Sequence, residues 1–293
     1  MKPIFAFTTL FCNFASERGT EKQPLSLHIN TLTSNLMTLI SRKLINSKIH
    51  QPKNSLTKKL INSYMTIGII VAMEKEMAQL RKILSHPQTE QYNGKEFVTG
   101  QIGDKTIIIQ QCGIGKVNAA IGTVEMINHY HPDIIVSSGC AGGADTRLHV
   151  TDVVVGTTYT YHDVYCGTEV AYGQFIGLPA TFNADERLVQ TALSLGGDCT
   201  VHAGTIVSGD WFVTSKEKMR DILSHFPQAT AVDMESCAIA QTCYIYHVPF
   251  VSFRIISDIP LLDTDASQYF DFWNRMAEGS FHVTKAFVEA LTL

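Results

Sequence analysis

Nowhere in the 293 residues is there a run of about 18 apolar residues, the minimum for a membrane-spanning helix, so no membrane partner is expected. Basic clusters are missing after Met65. Residues 1–64 hold nine Lys and Arg against Glu17 and Glu21, which leaves 14 basic and 25 acidic residues for the remainder. Because phosphate-backbone binding relies on clustered Lys and Arg, that acidic body argues against nucleic acid as a partner. CxxC pairs are absent too: Cys12, Cys112, Cys140, Cys166, Cys199, Cys237 and Cys243 are odd in number and sit mostly in apolar runs. This pattern fits reduced, packed thiols in a cytoplasmic protein. Met1–Ala15 has a lysine followed by an apolar stretch, loosely like a secretory signal. Its cleavage position would read Asn13-Phe14-Ala15, without the small residue such a site needs, so secretion is not expected.

What is present is an ordinary globular composition, 45% hydrophobic and 17% charged, enough to build a sizeable core. Residues 1–64 contain one glycine, many Ser, Thr, Asn and Lys, and no sustained strand alternation. They are read as an extension outside the fold, disordered or arising from an upstream start codon, with 65–293 as a single domain. From Thr66 the pattern changes. Thr66–Ala72 reads as a buried strand and Glu74–Leu84 as a helix with an acidic start. Glu96–Ile102 and Lys105–Gln111 read as strands around a Gly103-Asp104 hairpin signal. Helices are expected at Lys116–Tyr130, Asp185–Leu195, Met234–His247 and Asp271–Leu291, and strands at Ile134–Ser138, Asp152–Thr158, Thr205–Ser208 and Phe250–Ile256. Strands alternating with helices predict an α/β fold whose central sheet is covered on both faces. Ligands in such folds collect beyond the strand ends.

Gly113-Ile114-Gly115-Lys116 follows a strand and opens a helix, yet a phosphate loop would need glycine at Gln110 and Ser or Thr at Val117. A tight turn that brings backbone close to a ligand or another strand is the better reading. Ser138–Gly143 ends another strand in small residues, which permits close approach of a flat ligand. Glu76, Glu235 and Asp258 each stand beside a strand end. Taken singly, the first two read as favourable charges in a first helical turn and the third as a cap. His129 and His131 end a helix before Pro132 without a ligand-spaced partner, so a metal site is not expected. Tyr161-His162-Asp163 lacks an accompanying nucleophile elbow and reads as packing.

Taken together, AMEKE (72–76), CGIGKVNAA (112–120), SGCAGG (138–143), YHD (161–163), VSGDWF (207–212), VDMES (232–236) and RIISD (254–258) resemble the ordered motifs of 5′-methylthioadenosine/S-adenosylhomocysteine nucleosidases. The resemblance spans Met65–Leu293. It implies a three-layer α/β/α sandwich with a central mixed β-sheet, nucleoside phosphorylase-like, a homodimer, a small-molecule nucleoside substrate, and no metal or organic cofactor. By the same resemblance Glu76 activates the attacking water, Asp258 protonates adenine N7 and Glu235 binds the ribose hydroxyls. Met73, Ile114, Phe212 and Val213 take the positions of ribose and base contacts, and Tyr269 that of an aromatic beside the 5′ substituent. Met234, Asp233, Ala141 and Gly142 belong to substrate-binding motifs, as do Arg254 and Ser257 of the stretch that carries Asp258.

The chemistry explains the acids. Breaking C1′–N9 leaves positive charge on ribose and negative charge on adenine, so a proton at N7 improves the leaving group, while a base must take the proton of the attacking water. Two departures stand out: Cys140 where many relatives have serine, and Asp233 where many have glutamate. Neither is expected to touch the three acids, so tuned affinity is anticipated. A purine nucleoside phosphorylase is the nearest rival, but Ser137 occupies the place of its arginine and the acidic AMEKE replaces its phosphate loop. A futalosine-type hydrolase would use the same acids, and a non-catalytic nucleoside binder has no need of all three.

Overall fold

Alternating side chains on β1 (Thr66–Val71) face two different cores. Ile67, Ile69 and Val71 point to one side and Ile70 to the other, because successive residues of a strand project to opposite faces. This is a computed structural model, and it describes residues 65–195, 200–262, 267–275 and 282–292. The chain divides into two units, Met1–Ser63 and Tyr64–Leu293. The first, together with the extension expected there, Cys12 and Cys199, lies outside the described residues.

After β1 come α1 (Glu74–Lys82), β2 (Ser85–Tyr92), β3 (Lys95–Ile102), β4 (Lys105–Gln111), α2 (Lys116–Tyr130), β5 (Ile134–Gly143), β6 (Val153–Tyr161) and β7 (Phe182–Asn183). Then follow α3 (Glu186–Leu193), β8 (Val201–Ser208), α4 (Lys216–His225), β9 (Ala229–Asp233), α5 (Ser236–Tyr246), β10 (Phe250–Asp258), α6 (Ser267–Arg275) and α7 (His282–Ala290). Among the described residues, none of these helices is long and apolar enough to cross a membrane.

The strands form one mixed sheet in the order β10-β6-β8-β9-β5-β1-β4-β3-β2, with β7 beside β6. β10 also pairs with β5, so β5, β10, β6, β8 and β9 close into a ring, while β1, β4, β3 and β2 extend from it as a wing. Met77 and Leu80 of α1, Leu188 and Val189 of α3, Phe272 of α6 and Phe287 and Val288 of α7 cover one face. Ala119, Met126 and Ile127 of α2 and Cys237–Ala240 of α5 cover the other. This is the three-layer α/β/α arrangement, and each fully buried Leu, Ile, Val, Phe or Met contributes roughly 1.5–3 kcal/mol. Gly68 lets α2 sit close on β1: a Cβ there would lie 2.9 Å from Ile135 Cδ1 and 3.0 Å from Met126 Cγ.

Several expectations change. β2, SHPQTEQY, is an almost wholly exposed edge strand with a bulge between Ser85 and Gln88, so it carries no apolar alternation to read. α4 also went unread, although Ser215 caps it and Met219 and Ile222 are buried three residues apart. The helix expected from Met234 starts at Ser236, leaving Glu235 at its N-cap. Where one closing helix was expected over Asp271–Leu291, α6 begins earlier and α7 ends it, with residues 276–281 outside those described.

Candidate active site

β5 builds the floor of the site by changing neighbours along its length. β1 accompanies it only from Ile134 to Ser137, β10 runs beside it from Ile135 to Gly142, and β9 pairs with Gly142 and Gly143. Where β1 has ended, the Cys140 N–H donates to Glu76 Oε1 at 3.1 Å. Glu76 Oε2 accepts from the Ala72 and Met73 N–H groups at 2.9 and 3.0 Å. Glu76 thus stands in the first turn of α1 with its side chain on the N-cap backbone, and the same carboxylate also reaches the floor. No side chain fits at Gly139: a Cβ would lie 2.6 Å from Glu76 Oε1 and closer still to Arg254.

These elements enclose a cavity of about 320 Å³ beyond the C-terminal strand ends. Met73 and Glu76 line it from the β1–α1 corner, Ile114 from the loop before α2, and Ala141 and Gly142 from β5. Phe212 and Val213 follow β8, and Asp233, Met234 and Glu235 come from the β9–α5 corner. Ser257 and Asp258 end β10 and Tyr269 stands on α6. A register shift between Ile256 and Asp258 bends the end of β10, which is how two consecutive residues come to line one cavity. Ser257 Oγ donates to Asp258 Oδ1 at 2.6 Å. Phe212 and Tyr269 meet edge to face with centroids 5.0 Å apart, and Tyr269 Oη lies 3.9 Å from Met73 Sδ.

Of the residues that the resemblance assigned to catalysis or substrate binding, Arg254 alone does not line the cavity. It is buried behind it, with Nε 2.6 Å from Asp233 Oδ2, Nη2 3.9 Å from Glu235 Oε2 and 2.9 Å from Ser137 Oγ, and a further bond from Nε to Ser236 Oγ. Positions 140 and 233 are linked to the acids through backbone and through Arg254. The backbone at Cys140 bonds Glu76, and Asp233 shares Arg254 with Glu235. Asp233 further accepts from Ser208 Oγ at 2.5 Å, so its short side chain is held from both sides. Ala72, Cys140, Trp211 and Val232 complete the lining; all four fall inside the quoted motifs, and of these only Cys140 was marked by its type, as a departure.

Burial raises the Glu76 carboxyl above its ordinary value, against the pull of Arg254 and the three backbone N–H groups. Burial pushes Glu235 up to about 7, opposed by Arg254 and by the Gly115 N–H, which donates to its Oε1 at 2.9 Å. The loop read as a tight turn therefore turns its amides toward carboxylates: Gly113 and Gly115 have φ of +95° and +94°, and Lys116 N–H donates to Asp210. Cys140 is pushed well up by burial and by Glu76, so it sits in the cavity as a neutral thiol. Among the described residues no group of three His, Cys, Asp or Glu could hold a metal ion. His129 does have a carboxylate neighbour in space, Glu90 at 3.3 Å, and stacks on Tyr92.

An acid-lined cavity at the strand ends of this sheet is the architecture of a broad enzyme class: residues 66–290 match the family model of the Phosphorylase superfamily. A 5′-methylthioadenosine/S-adenosylhomocysteine nucleosidase of an Exiguobacterium species is 41% identical over 71% of this chain and 90% of its own length. That of Staphylococcus saprophyticus is 39% identical over 77% of this chain and 100% of its own. The solved S. pneumoniae nucleosidase of the same name, with the transition-state inhibitor MT-ImmA, superposes with a TM-score of 0.73 at 34% identity, covering 78% of this chain and 100% of that one. The chain belongs to the 5′-methylthioadenosine/S-adenosylhomocysteine nucleosidase family.

Proposed function

We propose that this protein hydrolyses the N-glycosidic bond of 5′-methylthioadenosine and S-adenosylhomocysteine, releasing adenine and the 5′-thioribose product. The observation that carries the reading is the meeting of Glu76, Glu235 and Asp258, remote in sequence, around one cavity. Asp258, with Oδ1 fixed by Ser257, is the acid that delivers a proton to adenine N7. Glu76, whose burial makes its ionised form a stronger base, takes the proton of water attacking C1′; each such transfer is worth roughly 10²–10⁴-fold. Glu235 holds the ribose hydroxyls, bonds that strengthen as the sugar flattens toward an oxocarbenium ion. Phe212 and Val213 flank the base, while Met73 and Tyr269 offer an apolar place for the 5′ thioether.

A homodimer in the cytoplasm is part of the same reading. Ile114, Val117 and Ile121 leave an exposed apolar stripe on and before α2, and Phe175 and Ile176 expose more, a surface suited to a second copy. The five described cysteines are free thiols. Residues 65–293 suffice for activity on this reading, so protein started at Met65 keeps full turnover.

The deciding experiment supplies methylthioadenosine, S-adenosylhomocysteine, inosine and futalosine, with and without phosphate, and identifies the released base and sugar. Adenine and a free 5′-thioribose, independent of phosphate, are expected. Ribose 1-phosphate esters appearing only with phosphate would mean a phosphorylase, and release from futalosine alone would move the substrate.

A further inference from the structure

The YHD motif found no task in the chemistry above, yet it joins two walls of the cavity from outside. Asp163 Oδ2 accepts from Lys116 Nζ at 2.7 Å and from the Asp210 N–H at 2.8 Å. Asp210 Oδ1 in turn accepts from the Lys116 N–H at 2.8 Å, and its other oxygen lies 3.7 Å from Lys116 Nζ. The first residue of α2 and one residue each from the loops after β6 and β8 thus close a triangle, and Lys116 also lies over the Tyr161 ring. The backbone is shaped to permit it. A Cβ on Gly115 would lie 3.0 Å from Asp210 Oδ1, and one on Gly209 would lie 2.6 Å from His162 Nε2.

None of the three side chains lines the cavity, but each is chained to something that does. Ile114 stands two residues before Lys116, Trp211 and Phe212 follow Asp210 directly, and the Gly115 N–H beside Lys116 holds Glu235. Exposed ion pairs are weak on their own. Here, however, two of the contacts use backbone N–H groups, which fix the path of the chain as well as the ends of side chains.

We propose that Lys116, Asp163 and Asp210 form a clasp that positions Glu235 and the Ile114 and Phe212 walls around the bound nucleoside. The proposal rests on the function proposed above. Glu76 and Asp258 are held by other elements, the β1–α1 corner and β10, so the clasp governs grip on the ribose and base more than proton transfer. Loss of the Gly115 N–H bond also removes one of the contacts that hold the Glu235 carboxyl down.

The test compares Lys116→Met, Asp163→Asn, their double variant and Lys116→Arg by steady-state adenine release from methylthioadenosine, by pH profile, and by calorimetric titration with adenine. Each single loss is expected to lower kcat/KM by about 10- to 100-fold, mostly through KM, as misplacement of binding groups does. The acidic limb of kcat/KM moves to higher pH, the double variant is no worse than the worse single, and Lys116→Arg recovers most of the activity. Single variants with wild-type KM, adenine affinity and acidic limb overturn the clasp. So do losses that add in the double variant, or that follow a fall in melting temperature shared by Lys116→Arg. Wild-type protein that releases no adenine sinks the proposed function instead, and adenine titration of the variants still reads the clasp.

Discussion

Arg254 Nε meets Asp233 Oδ2 at 2.6 Å with both side chains almost wholly out of solvent, and Glu235 lies next to the same guanidinium. Removing one partner of such a pair leaves the other charges buried without compensation. Arg254→Met is expected to destabilise the fold by about 3–5 kcal/mol in urea melts. Arg254→Lys does not restore it, because an ammonium lacks the planar fork that reaches Asp233, Ser236 and Ser137 together. A stable Lys variant would show that charge alone is enough.

Asp258→Asn keeps the shape of the acid but cannot deliver its proton. Single-turnover adenine release falls about 10²–10⁴-fold, with adenine affinity held within several-fold. Unchanged turnover would take the acid role away from Asp258.

Glu235 titrates in the fold at about 7 against an ordinary 4.5, because burial penalises its charge. The folded protein therefore holds a proton that the unfolded chain releases. This stabilising contribution is complete below about pH 4.5 and is lost as pH rises through about 7. Glu76, also raised, acts in the same direction. The melting temperature of Glu235→Gln should fall less steeply than that of wild type between about pH 5 and 8. Parallel slopes would assign the pH dependence elsewhere.

His162 has the opposite sign. Both ring nitrogens are buried without a hydrogen-bond partner, and burial lowers its pKa below the ordinary 6.5. The unfolded chain gains a proton that the folded one resists, so stability is full above about pH 6.5 and declines as pH falls through the folded value. His162→Leu, which removes the unpaired polar atoms, should cost less than about 1 kcal/mol at pH 7 and melt higher than wild type near pH 5. A Leu variant that loses stability equally at both pH values would show that packing shape, not the proton, keeps the histidine.

The layers of the fold were legible because their cause is local. The alternation in Thr66–Val71, the Gly103-Asp104 turn with Gly103 at φ +60°, and the long helix Lys116–Tyr130 each carry their pattern within a few residues. β2 and α4 escaped for opposite reasons. The first is exposed on both sides and needs no pattern, while the second shows only two buried apolar residues in a charged stretch. β5 and β10 run longer than expected because strand ends rich in Gly, Ser and Asp pair once neighbours hold them.

By itself the sequence determined which residues are acidic, which strands are apolar, and, through seven motifs in order, which family to expect. Only the tertiary structure decided that β10 returns to β5 and closes the ring, that Arg254 stands behind the cavity instead of in it, and that Glu76 bonds the backbone of Cys140. The reason is physical. Propensity and hydrophobic period act over neighbouring residues, whereas the protonation and aim of a buried carboxylate depend on charges and N–H groups brought in from strands more than 60 residues away.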